Sequence, residues 1–84
     1  MAPSHPVMIF SRVLRQVRRE NDLSQEALAA TAGLHRNHIS DLERAQKNPS
    51  LSTLIELADA LGMTAGELMS RFDEERARQY RSAG

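Results

Sequence analysis

Residues 25–44 read QEALAATAGLHRNHISDLER, and this stretch decides the fold because it divides at Gly33 into two short amphipathic helices. Ser24 stands in front as an N-cap: its hydroxyl oxygen can accept a backbone N–H of the first turn, a group with no partner inside the helix. Leu28, Ala29 and Ala32 fall on one stripe, which gives the first helix a face to bury. Gly33 comes just after the last periodic residue and can take the left-handed conformation that ends a helix without steric penalty. Leu34 is expected as a buried turn residue. In the second helix Ile39 and Leu42 point inward, while Arg36, Asn37, Ser40, Asp41 and Arg44 recur at i, i+1, i+4, i+5 and i+8 on the other face. That outward face is polar and suited to contact a partner.

At these residues the stretch resembles the helix-turn-helix of the lambda-repressor-like (Cro/Xre) family of DNA-binding proteins. Gln25 opens the unit, Ala29 is the small residue where the helices cross, Gly33 is the turn, Ile39 is the inward apolar residue of the recognition helix, and Glu43 is the acidic residue near its end. The flanks from Phe10 to Leu68 fit as well, so the resemblance covers about three-quarters of the chain. Within the family, the small controller proteins of restriction-modification systems are the most similar. The resemblance implies an all-α, compact five-helix DNA-binding domain over residues 6–73, with the helix-turn-helix at 25–44 on helices 2 and 3. Residues 1–5 are then a frayed lead-in, and 74–84 a polar C-terminal helical extension or tail. It also implies that Arg18 on helix 1 pairs with Glu43 as a structural ion pair.

Composition sets the outer bounds. A chain of 84 residues is one domain with a modest core and little room for a deep substrate pocket, and pairing of subunits would help its stability. It contains no cysteine, which excludes a disulfide framework and a thiolate metal site. Nothing resembles a signal peptide or a membrane span, so a soluble, cytoplasmic protein with no membrane contact is expected. The net charge is zero, which argues against binding nucleic acid by bulk charge and makes the placement of charges decisive. Residues 1–50 carry seven positive and five negative side chains, and residues 51–84 four and six, so the basic half holds the helix-turn-helix.

Outward from that unit the signals agree. Phe10, Val13, Leu14 and Val17 repeat at helical spacing from about Pro6 to Glu20, with Arg12, Arg15 and Arg19 on the other faces as a solvated surface or, alternatively, a nucleic-acid patch, and Asn21-Asp22 ends the helix. Residues 45–50, AQKNPS, form a loop that Pro49 keeps from being helical. Many relatives have glycine where this chain has Ala45; alanine resists the left-handed conformation, so the turn is expected to be looser or strained. Ser50 caps helix 4, whose stripe is Leu51, Leu54, Leu57, Ala58 and Leu61, and Gly62 ends it. Thr64 and Glu67 form a capping box for helix 5, with Met63 and Leu68 as a hydrophobic staple whose spacing recurs at Leu23/Leu28 and Leu34/Ile39. After Phe72 the sequence DEERARQYRSAG has helix formers to about Tyr80 but no apolar stripe, and reads as a helix running on into solvent or, alternatively, as a second element of subunit pairing.

Enzyme chemistry finds no footing. His35 and His38 stand three residues apart but lack enough further ligands for a metal, and no glycine-rich phosphate loop or nucleophile–base set is present. Met8, Met63 and Met69 read as core or interface filler. No cofactor and no metal are expected. The expected function is sequence-specific binding of a double-stranded DNA operator by a homodimer on two half-sites. Arg36, Asn37, Ser40, Asp41 and Arg44 are the expected base contacts, with Asp41 either accepting from a cytosine or orienting Arg36 or Arg44. Ser24, Gln25, His35, Lys47 and Asn48 are the expected phosphate contacts. Ile55, Met69 and Phe72, apolar residues left over once the core is assigned, mark the expected dimer surface. The alternative is an antitoxin-like interaction module that binds a toxin, an additional protein partner, through the C-terminal helix.

Overall fold

In the computed structural model, which describes residues 5–83, five helices follow one another: α1 (Pro6–Glu20), α2 (Gln25–Ala32), α3 (Arg36–Glu43), α4 (Leu51–Ala60) and α5 (Ala65–Ala83). The expected frayed lead-in lies, apart from His5, outside the described residues.

Four of the five starts carry the caps that the sequence encodes. His5 Nδ1 accepts the Val7 N–H (3.2 Å) ahead of Pro6 in the first turn of α1. Ser24 Oγ accepts from Ala27 (3.0 Å) and Ser50 Oγ from Thr53 (3.1 Å). Thr64 and Glu67 exchange bonds of 2.8 and 3.0 Å, the reciprocal capping box. Only α3 starts without a side-chain cap; His35 occupies the position and makes no capping bond.

The first four helices end alike. In each, the N–H of one residue bonds the carbonyl five residues back, and the N–H of the residue before it bonds the carbonyl three back, as in Leu23→Arg18 and Asp22→Arg19 at 3.1 and 3.0 Å. This pairing requires one residue in the left-handed region. Gly33 (φ 72°) and Gly62 (φ 71°) supply it for α2 and α4, Asp22 (φ 54°) for α1 and Ala45 (φ 58°) for α3. The turn after α3 is therefore not looser: Gln46 N bonds Asp41 O at 2.8 Å and Ala45 N bonds Leu42 O at 3.2 Å. The alanine accepts the strained conformation.

The core is a single cluster of Phe10, Val13, Leu14 and Val17 from α1, Leu28, Ala29 and Ala32 from α2, Ile39 and Leu42 from α3, Leu57, Ala58 and Leu61 from α4 and its cap, and Leu68 from α5. The helical stripes read from the sequence supply nearly all of it. Two positions differ. Leu51 is 74% exposed, and the buried side of α4 begins at Thr53 and Leu54. Leu34 is half-buried rather than buried, covering Ile39 from outside as a staple. α5 packs on α1 and α4. Past Phe72 the helix continues as far as Ala83, with Arg76, Ala77, Arg78, Tyr80 and Arg81 exposed. Glu75 is the buried residue of this stretch, accepting from Arg78 (2.9 Å) and Gln79 (3.1 Å), with Arg12 of α1 at 3.8 Å.

Candidate nucleic-acid interface

The outward face of α3 stands on the two core residues Ile39 and Leu42, both almost fully buried. With those two fixed, helical geometry turns Arg36, Asn37 and Arg44 outward, where all three are exposed, and leaves Ser40 and Asp41 half-buried between them. Arg36 Nε lies 3.8 Å from Glu26 Oε1 on α2, but both side chains are largely exposed, so water screens the pair and the guanidinium stays available. Asp41 bonds the arginine at the far end of the face: Arg44 Nη2 donates to Asp41 Oδ1 at 2.7 Å. Lys47 Nζ stands 3.7 Å from the other carboxylate oxygen. These cations, the Arg44 hydrogen bond above all, hold the Asp41 carboxyl below its ordinary range despite some desolvation, so Asp41 is ionised at neutral pH.

The residues expected at phosphates border this face. Ser24 caps α2, His35 occupies the corresponding position ahead of α3 without a capping bond, and both are exposed. Lys47 and Asn48 are exposed in the loop after α3. Gln25 is partly committed inward: its Nε2 donates to Glu43 Oε1 at 3.1 Å. His35 and His38 flank the start of α3, and among the described residues no group of three metal-binding side chains forms.

Behind the face lies a buried polar knot. Arg18 grips Glu43 with two parallel bonds, Nε to Oε2 at 2.6 Å and Nη2 to Oε1 at 2.9 Å, and donates its Nη1 to the Leu23 carbonyl at 2.8 Å. The side chains are only 11% and 3% exposed. The bond to Glu43 raises the Arg18 pKa above its already high ordinary value, against the desolvation that would lower it. Arg15 adds a bond that the sequence does not announce, from Nη2 to the Glu43 backbone carbonyl at 2.7 Å. It is half-buried, not part of a solvated arginine face. One signal for it exists: Arg15 precedes Arg18 by three residues and so shares its side of α1. One network thus ties α1, the start of α2 and the end of α3.

Away from this face, Ile55 is 45% and Met69 37% exposed, and Phe72 is half-buried against the core. Met69 and Phe72 border an apolar recess of about 190 Å³ completed by Pro6, Val7, Phe10, Asn48, Pro49 and Leu54. Met8 is also exposed, whereas Met63 packs against the core.

Comparison with known proteins places this geometry. The helix-turn-helix profile matches residues 14–68. Control protein C.SmaI of Serratia marcescens is 46% identical over 63 residues, which cover 75% of each chain. The crystal structure of the restriction-modification controller protein C.AhdI from Aeromonas hydrophila is 40% identical, with a TM-score of 0.71 over 74% of this chain and 94% of that one. The controller protein C.Esp1396I, solved as a tetramer in complex with its natural 35 base-pair operator, is 26% identical, with a TM-score of 0.83 over 88% of this chain and 97% of that one. The match runs from the second half of α1 to the first turn of α5, through every residue that builds the polar knot and the α3 face, and the protein belongs to the Cro/Xre-type helix-turn-helix family.

Proposed function

We propose that this protein is a transcriptional regulator that binds a double-stranded DNA operator as a homodimer, with α3 in the major groove of each half-site. The observation that carries the reading is the α3 face itself, an exposed Arg36-Asn37-Arg44 surface held from behind by buried hydrogen bonds. A groove about 12 Å wide admits one helix, and a rigid helix is needed if side chains are to find base edges. Arg36 can donate to guanine O6 and N7 together, and Asn37 can pair with adenine N6 and N7. Asp41 bonds the exposed Arg44 guanidinium at 2.7 Å and so favours one orientation of it, and Ser40 lies on the same face. Ser24, Gln25, His35, Lys47 and Asn48 border the face where the phosphates would run, and contacts there set register, not sequence.

One such domain spans few base pairs, so useful affinity asks for two copies about 34 Å apart, one helical turn. Ile55, Met69 and Phe72, with the apolar recess beside them, form the pairing surface, because exposed apolar groups of this kind gain by mutual burial. C.SmaI and C.AhdI are named as controller proteins, and C.Esp1396I is seen as a tetramer on its operator; a controller role in gene expression follows for this chain. The antitoxin-like reading, with a protein partner on α5, has no observation in its favour.

The test separates readers from clamps by sequence and salt. Losing a bidentate base contact costs about 1 to 3 kcal/mol, mainly on the preferred base, whereas losing a phosphate contact weakens binding to all sequences and reduces the salt slope by about 0.9 per contact. Randomised-site selection and salt titrations on Arg36→Ala are expected to show one base position per half-site losing its preference. Lys47→Ala is expected to keep the selected sequence and lower the salt slope. If Arg36→Ala keeps the full sequence preference and loses only salt dependence, Arg36 is a phosphate clamp and the reading of the α3 face is wrong.

A further inference from the structure

The four left-handed turns of the fold are not equivalent. At Gly33 and Gly62 the residue has no Cβ, and at Asp22 it is of a type that tolerates this region, but Ala45 has neither advantage. The strained turn is also the one that carries the interface. Its backbone bonds leave the Glu43 carbonyl unsatisfied by the chain's own N–H groups, since Ser40, Asp41 and Leu42 accept from Arg44, Gln46 and Ala45. Arg15 reaches across from α1 and fills that position at 2.7 Å, its guanidinium lying in a recess with Glu43, Arg44 and Ala45. On the far side of the same turn, Asp41 holds Arg44 and Lys47. Glu43, two residues before Ala45, is therefore held from α1 at two places, its carboxylate by Arg18 and its backbone carbonyl by Arg15, and only the second acts on the backbone that leads into the turn.

We propose that Arg15 is a positioning residue for DNA recognition: by clamping the Glu43 carbonyl it holds the strained turn at Ala45, and with it the register of Arg44, Asp41 and Lys47. The role rests on the DNA-reading function proposed above. The start of α3 does not depend on it, because Arg36 and Asn37 are seated by Ile39 and the Leu34 staple. Loss of the clamp acts on one end of the recognition helix only. A plain loss of stability would instead lower binding to every sequence alike.

The experiment is randomised-site selection on the full chain, comparing wild type, Arg15→Ala, Ala45→Gly and the double variant, with melting curves alongside. Arg15→Ala is expected to reduce preference about fivefold or more at the base position read by Arg44, the lower range of what one bidentate base contact supplies, while preference at the Arg36 position stays. The double variant is expected to recover the lost preference, since glycine takes the left-handed conformation unaided. Should Arg15→Ala not fold, Arg15→Lys, which keeps charge and stem but not the planar fork, is expected to show the same one-sided loss in weaker form. An unchanged selection profile with a salt slope lower by about 0.9 per half-site makes Arg15 a simple phosphate-side charge and overturns the proposal. So does a double variant no better than Arg15→Ala. A wild type that selects no sequence overturns the DNA-reading function and this role together, whereas a selective wild type matched by an equally selective Arg15→Ala overturns this role alone.

Discussion

Two arginine–carboxylate forks join α1 to a distant helix with nearly the same geometry. Arg18 meets Glu43 of α3 at 2.6 and 2.9 Å, and Arg71 of α5 meets Glu20 at 2.9 and 2.7 Å. Their surroundings differ: the first pair is 11% and 3% exposed, the second 29% and 46%. At the first, water is largely excluded, each nitrogen of the guanidinium finds an oxygen, and two further residues, Arg15 and Gln25, join the knot. At the second, water competes for both partners. The same chemistry thus serves as a fixed support behind the recognition helix and as an adjustable contact under α5. The recognition side is locked by polar groups, and the opposite side keeps apolar groups in reserve.

The largest effect is expected from breaking the buried fork. Glu43→Ala leaves Arg18 charged, desolvated and without its partner, and a buried pair broken on one side costs about 3 kcal/mol or more. Thermal melts should show a clear fall in melting temperature for Glu43→Ala and for Arg18→Ala. Because both remove the same interaction, the double variant should lose much less than the two single losses added together. Unchanged melts for both single variants would show that the knot does not support α3.

The next effect tests the reserve of apolar groups. Met69 is 37% exposed, so Met69→Asp should cost the monomer little while placing two carboxylates at the proposed two-fold contact. Phe72→Asp makes the same test but also disturbs the core against which Phe72 packs. Light scattering should show a dimer become a monomer. Affinity for an intact two-half-site operator should then fall roughly a hundredfold, the low end of what linking two sites supplies. A wild type that is monomeric at high micromolar concentration, or a Met69→Asp chain that still dimerises, would place the interface elsewhere.

What could be read in the sequence follows the same division between local and distant causes. Ser24, Ser50, the Thr64/Glu67 box and Gly33 act on neighbours within a few residues, and the structure shows each cap bond and the left-handed turn where residue type and spacing place them. Helical periodicity likewise gave Phe10, Val13, Leu14 and Val17 as one buried stripe. It did not reveal that Leu51, on the same apolar stripe, is exposed, because period says which residues share a face and not how completely the neighbours cover each of them. Arg15 was hidden for a different reason: its acceptor is a backbone carbonyl, an atom that every residue carries, so no residue type marks it. Glu75 was hidden because a buried glutamate with arginine and glutamine partners looks, in one dimension, like any polar tail. The outward α3 face was legible as a face from its spacing, while the choice of Arg44 as the partner of Asp41 depended on side-chain geometry.

The smallest effect is expected at the exposed fork, and it sharpens the contrast because its response to pH and salt has a definite sign. The bond from Arg71 lowers the Glu20 pKa from its ordinary value of 4.5, against desolvation that raises it, and the charge of Arg71 adds to the lowering. A carboxyl depressed in the folded state contributes stability that is fully present above its unfolded pKa and is lost as pH falls through the folded one. Glu20→Gln should therefore lower the melting temperature only slightly at neutral pH. The gap to wild type should close as pH drops below about 4.5 and should also shrink in about 1 M salt, where the screening length is near 3 Å. The loss caused by Glu43→Ala should persist in that salt, since ions cannot enter the knot between Arg18 and Glu43. If Glu20→Gln costs as much as Glu43→Ala, or keeps its full effect in strong salt, then burial is not what separates the two forks, and α5 is held to α1 as firmly as the recognition helix is.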